Sequence, residues 1–192
     1  YRPCKIDDII LPESLRKKAK TMISNGNISN MIMSGTFGVG KTTLAHALAD
    51  LFGLPFKRVQ FTSDLLPTDI IGMTIFDMDS KKFLFKKGPL FTSTLLADEI
   101  NRATPKTQSA LLQAMEEQQV SVEGRQIDLP DPFFVIATQN PLEQSGTFPL
   151  PESQLDRFLM RLSLGYPSAK FEKRMSRKHS KMVSKEACDK QA

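Results

Sequence analysis

A chain of 192 residues with 26 Lys or Arg against 21 Asp or Glu is long enough to bury one core of its own. It has no apolar run near the roughly 20 residues that a membrane span needs, and the start Tyr1-Arg2-Pro3 lacks a secretory pattern, so a cytoplasmic protein without a membrane span is expected. The net charge of +5 belongs wholly to residues 169–192, which hold eight basic and three acidic side chains, while the other 18 and 18 cancel. Basicity therefore marks a tail, and nucleic acid is a secondary expectation resting on that tail.

In chain order, Ile9, Ile10, Leu15, Ala19, Met22 and Ile23 predict a helix entered at Pro12-Glu13 and ended by Asn25-Gly26-Asn27. Met31-Ile32-Met33 reads as a buried strand. A glycine-rich turn follows, and then a helix with Leu44, Leu48 and Leu51 at helical spacing. Residues 56–61 form a second strand candidate whose apolar run is broken by Lys57 and Arg58. Thr74-Ile75-Phe76 and Phe83-Leu84-Phe85 predict a hairpin closed off by Gly88-Pro89. Residues 94–97 make a buried strand, and Thr104-Pro105 opens a helix carrying Ala110, Leu111, Ala114 and Met115. A second hairpin turns at Glu123-Gly124. Residues 133–137 form a further strand running into Thr138-Gln139-Asn140. A short helix over 152–158, a last strand over 159–164 and a weakly patterned helix after Phe171 complete the reading. Strands alternating with helices imply a parallel α/β sheet, whose ligands bind beyond the carboxyl ends of the strands.

Two strings carry chemistry. Gly35-Thr36-Phe37-Gly38-Val39-Gly40-Lys41-Thr42 fits GxxxxGK[ST], where glycines let backbone N–H groups converge on phosphate oxygens ahead of a helix N-terminus. Lys41 is expected to reach the β- and γ-phosphates, Thr42 to supply a hydroxyl to Mg²⁺, and Thr43 to continue the helix. The second string, Leu95-Leu96-Ala97-Asp98-Glu99, ends a buried strand in two acids. Asp98 would hold the same Mg²⁺ through its hydration shell, and Glu99 would polarise the attacking water. Without the phosphate loop this acid pair would be a solvated strand end. Cys4 and Cys188 have no CxxC partner, and His46 and His179 no metal-spaced companion, so neither pair is assigned a site.

From about Pro55 to Ser168 the chain resembles the MoxR family of AAA+ ATPases. The resemblance rests on Leu95 through Ala103, on Lys106-Thr107-Gln108-Ser109-Ala110-Leu111-Leu112, on residues 133–141 and on Leu155-Asp156-Arg157-Phe158. It implies a P-loop NTPase fold, a three-layer α/β/α sandwich with a parallel central sheet and two β-hairpin insertions that face a central pore in relatives. It implies ATP and Mg²⁺ as ligands, Asn140 as a sensor of the γ-phosphate and Arg157 as an arginine finger serving a neighbouring subunit. A hexameric ring acting on client proteins, with a von Willebrand factor A domain protein as partner, follows by the same resemblance. From the residues alone Asn140 reads equally as a turn residue before Pro141. Arg157 reads equally as a surface partner of Asp156 or Glu152, and Arg161 is a reserve finger with a packing role in the last strand.

Residues 1 to about 50 instead resemble a small phage-type clamp-loader ATPase, through Tyr1-Arg2-Pro3, Ile10-Leu11-Pro12 and Ser34-Gly35-Thr36. Residues 1–168 are expected to form the ATPase core. The basic tail, 169–192, stands where a helical lid would follow, so a missing or truncated lid is expected. A DNA-associated loader subunit and a nucleotide-binding subunit with little activity stay open beside the ATP-hydrolysing reading.

Overall fold

Five short strands form one parallel sheet: β1 (Met31–Ser34), β2 (Phe56–Gln60), β5 (Thr94–Asp98), β8 (Phe134–Gln139) and β9 (Met160–Ser163), in the order β2-β5-β8-β1-β9. The computed structural model describes residues 17, 21, 29–35, 41–140 and 146–164, without the side chains of Leu51 and Phe52. The expected first helix, loop residues 36–40, residues 141–145 and everything from 165 onward lie outside the described residues.

The three central strands are apolar along their length because both faces are covered. Alternation assigns the faces. Met31, Met33, Leu96, Phe134 and Ile136 pack with Leu44, Ala45 and Leu48 of helix α1 (Lys41–Phe52). Ile32, Leu95, Ala97, Val135 and Ala137 pack on the opposite side with Leu111, Leu112, Ala114 and Met115 of helix α3 (Pro105–Glu117). Helix, sheet and helix therefore make the expected three layers. Helix α1 ends where Gly53 turns to φ 65°, the left-handed conformation favoured just past a helix end. Helix α3 opens with Pro105 in its first turn and the Thr104 hydroxyl accepting from the Thr107 N–H, a cap for an otherwise unpaired donor.

Both expected hairpins are present and flank the sheet rather than join it: β3 (Gly72–Asp77) with β4 (Lys82–Lys87), and β6 (Gln119–Val122) with β7 (Arg125–Asp128). Helix α2 (Pro67–Ile71) was not anticipated, since five residues cannot display helical periodicity. It begins at Pro67, and the Asp69 carboxylate accepts the Leu66 N–H at 2.8 Å, which caps its first turn. The helix expected over 152–158 stops sooner, as α4 (Glu152–Leu155). Beyond it Arg157 and Phe158 bond three residues back, to Gln154 and Leu155. This tightened turn sends Phe158 into the core on the α3 side.

Candidate functional site

The site assembles at the carboxyl ends of β1, β5 and β8, where parallel strands leave a crevice. Because Leu96 faces α1, Asp98, two residues on, faces the same way. The first turn of α1 meets it there: the Thr42 hydroxyl lies 3.3 Å from Asp98 Oδ2, although 56 residues separate the two in sequence. Lys41, the first residue of α1, donates its Nζ to the carbonyl of Gly35 and, at 3.4 Å, to that of Gln139. Burial holds the Lys41 ammonium below its ordinary pKa, and the charges of Asp98 and Glu99 partly oppose that shift. Gly35 is buried, with its N–H bonded to the Gln139 carbonyl at 3.3 Å. Thr43 is exposed on α1. Thr36, Phe37, Gly38, Val39 and Gly40 lie outside the described residues.

The Asp98 side chain, 8% exposed, uses both oxygens. Thr138 donates its hydroxyl to Oδ1 at 2.5 Å. Arg58 donates Nε at 3.0 Å and Nη2 at 2.7 Å to Oδ2. Glu99 takes a left-handed backbone, φ 57° and ψ 48°. That conformation costs a non-glycine residue about 1 kcal/mol or more and persists where surroundings fix it. Here the Glu99 N–H is tied to the Thr138 hydroxyl at 2.9 Å. Its carboxylate is held by Gln60 at 2.6 Å and Arg102 at 3.0 Å.

Asn140 is buried, and its carbonyl accepts from Asn101 Nδ2 at 3.3 Å. Beneath it Gln108, also buried, donates Nε2 to the carbonyls of Ile100, Ala103 and Phe148. The turn after Glu99 is thereby tied both to the end of β8 and to the segment leading into α4. Arg157 stands apart from this cluster. It pairs with Glu116 at 2.9 Å, near the end of α3, and not with Asp156 or Glu152. Those two acids are taken by Arg161. That corrects the packing role expected for Arg161, whose side chain is 45% exposed. His46 lies against the Phe56 ring, centroids 4.2 Å apart.

Sequence reasoning missed Arg58, Gln60, Arg102, Asn101 and Gln108. Only the two-residue spacing of Arg58 and Gln60 on one strand face carried a signal, because it aims both side chains the same way. Chemically, a buried carboxylate beside a hydroxyl offers the hard oxygen donors that suit Mg²⁺. Among the described residues no three His, Cys, Asp or Glu side chains group as a metal cage.

Residues 30–160 match the ATPase family associated with various cellular activities (AAA). The chain is 55% identical over 139 residues to the uncharacterised protein YeaC of Bacillus subtilis, covering 72% of this chain and 43% of that one. It is 47% identical over 152 residues to the chaperone MoxR1 of Mycobacterium tuberculosis, covering 79% and 40%. A replication factor C small subunit from Aeropyrum pernix is 33% identical over 119 residues, covering 60% and 36%. The crystal structure of a candidate ATPase from Cytophaga hutchinsonii superposes with a TM-score of 0.75 at 40% identity, covering 92% of this chain and 53% of that one. The chain thus spans about two fifths of the length of YeaC and of MoxR1. No helix among the described residues is long and apolar enough to cross a membrane.

Proposed function

This chain belongs to the ATPase family associated with various cellular activities, and on that premise we propose that it is the motor core of a MoxR-type ATPase hydrolysing Mg·ATP to drive changes in client proteins. The carrying observation is the meeting of Thr42 with Asp98 at 3.3 Å, at a strand edge that also holds Lys41, Glu99 and Asn140. Mg²⁺, when bound, would supply electrostatic neutralisation of negative charge developing in the reaction. Thr42 and Asp98 would hold it. Lys41, already directed at backbone carbonyls of the loop and β8, would exchange them for β- and γ-phosphate oxygens. Glu99 would accept hydrogen bonding from the attacking water and orient it, Asn140 would help fix that water against the γ-phosphate, and Arg157 would reach a neighbour's nucleotide in a ring. Residues 1–168 would make up the ATPase core.

Ring formation fits the exposed apolar hairpin β3–β4, where Met78 and Phe83 are 78% and 75% exposed. A projecting apolar surface of that kind suits contact with another chain. A von Willebrand factor A domain partner, as implied by the MoxR resemblance, belongs to the same reading. The likeness to a replication factor C small subunit favours a second reading, a DNA-associated loader subunit. Turnover stimulated by primed DNA, with affinity falling steeply in salt, would select it.

The test is Glu99→Gln. ATP binding measured by calorimetry is expected to stay within about twofold of the parent, while turnover falls by about 100-fold or more, the scale for losing a group that acts only on the transition state. Unimpaired hydrolysis would remove Glu99 from the mechanism.

A further inference from the structure

Arg58 stands on the edge strand β2, half-exposed, yet its guanidinium reaches in to the buried Asp98. Two of its N–H groups converge on the single oxygen Oδ2, the same oxygen that faces the Thr42 hydroxyl. The other oxygen is engaged by Thr138. A carboxylate with so little exposure is costly to leave uncompensated. When a divalent cation is bound, that cation meets the need. Arg58 is a second positive group able to meet it, and it occupies the oxygen that faces Thr42.

We propose that Arg58 is a built-in counter-cation for Asp98, seated on Oδ2 and competing for that oxygen with a hydrated divalent cation that arrives with nucleotide. The inference rests on the nucleotide-site reading above and adds a competitor to it. Cation affinity is set by the difference between the incoming ion and the displaced guanidinium, since a state in which Asp98 is already paired lowers the apparent affinity in proportion to its population. The reach of the exchange extends further, because Arg58 Nη2 also donates to Gln60 Oε1 at 3.0 Å, and Gln60 Nε2 holds Glu99. Departure of the guanidinium therefore removes one of the contacts that orient Gln60 against Glu99. Arg58 is a positioning residue in this account, acting through Asp98 and Gln60.

The experiment is a Mn²⁺ titration of the 192-residue chain at fixed ADP, followed by electron paramagnetic resonance of the free ion, on the parent, R58Q and R58K. R58Q is expected to bind Mn²⁺ about fivefold more tightly, the factor of a modest ion pair removed from competition. R58K keeps the charge but loses the two-pronged contact, and is expected to fall between the two. Thermal melting supplies the second readout. Without ligand R58Q should melt below the parent, because Asp98 has lost a partner, and saturating Mg·ADP should close that gap. Mn²⁺ affinity in R58Q equal to or weaker than the parent's, or a melting deficit that Mg·ADP leaves unchanged, overturns the proposal. A parent chain that binds ADP neither with Mn²⁺ nor with the ion chelated would defeat the nucleotide reading itself, which is a separate outcome from an R58Q that merely matches the parent.

Discussion

Lys41 makes two demands on pH that run in opposite directions. Burial lowers its pKa beneath the ordinary 10.5, so the empty folded chain loses this proton at a lower pH than the unfolded chain does. Between the lowered value and 10.5 the unfolded state binds more protons, and this group's contribution to stability rises with pH across that window. On the proposed role of Lys41 phosphate binding would use the ammonium, so ATP affinity should fall across the same window. Calorimetric titrations at stepped alkaline pH are expected to show ATP binding weakening at pH values still below 10.5, while the melting temperature of the empty chain shows no matching Lys41-linked loss. A Lys41→Met chain should lose this pH dependence along with most of its affinity. What the sequence revealed at this scale was local: Lys41 and Thr42 sit in a string whose chemistry is readable alone, whereas Asp98 and Glu99 gained theirs only beside that string. Arg58 was read only as an interruption of an apolar strand, and Gln60, two residues on along the same face, was not singled out. Their meaning appears when β2 pairs with β5 and Gln60 comes level with Asp98, a long-range register that no local pattern encodes.

At the scale of elements, the hairpin β3–β4 is anchored by two glycines that leave no room for a side chain. Gly72 has φ 110°, and a Cβ there would fall 2.3 Å from the Lys86 carbonyl and 2.7 Å from the Gly88 nitrogen. A Cβ on Gly88 would fall 2.4 Å from the Ile70 carbonyl and 2.6 Å from the Gly72 nitrogen. The obstructing atoms are backbone, so they cannot swing aside as a flexible side chain would. Gly88→Ala should therefore part the hairpin base from α2, breaking the 3.0 Å bond from the Gly88 N–H to the Ile71 carbonyl. The expected cost is about 2–4 kcal/mol, read as a lower urea midpoint. Gly53→Ala makes the contrast: its Cβ meets nothing within 4 Å, so only the strain of φ 65° applies, about 1 kcal/mol. Sequence patterning located this hairpin through alternation and Gly88-Pro89. It could not show why Gly72 is needed, because the obstruction comes from the backbone of Lys86 and Gly88, at the far end of the hairpin in sequence. Patterning likewise overran α4, since the turn that buries Phe158 keeps helical spacing without a full helix.

For the molecule as a whole, the informative fact is where Arg157 is not. Its ion pair with Glu116 keeps it on the α3 side, and it makes no ion pair with Asp98 or Glu99, whose arginine partners are Arg58 and Arg102. A pair between side chains 38% and 62% exposed is worth about 0–1 kcal/mol, so it can be given up when a stronger anion is offered. A nucleotide phosphate on a neighbouring copy is such an anion, and a guanidinium suits it. In the proposed assembly, head-to-tail contacts, which close into a ring if the rotation permits, would place one subunit's Arg157 against the next subunit's nucleotide. The consequence is testable without a structure of the assembly. On the proposed roles, Arg157→Ala would retain its own phosphate site but offer no finger, whereas Lys41→Ala would lack the site and retain the finger. Each alone should be nearly inactive at every protein concentration. Mixed in equal amounts, about one interface in four joins an intact site to an intact finger, so the mixture should recover about a quarter of the parent's rate per subunit, increasing with protein concentration. An arginine acting within its own chain would give no recovery, because neither variant carries both parts.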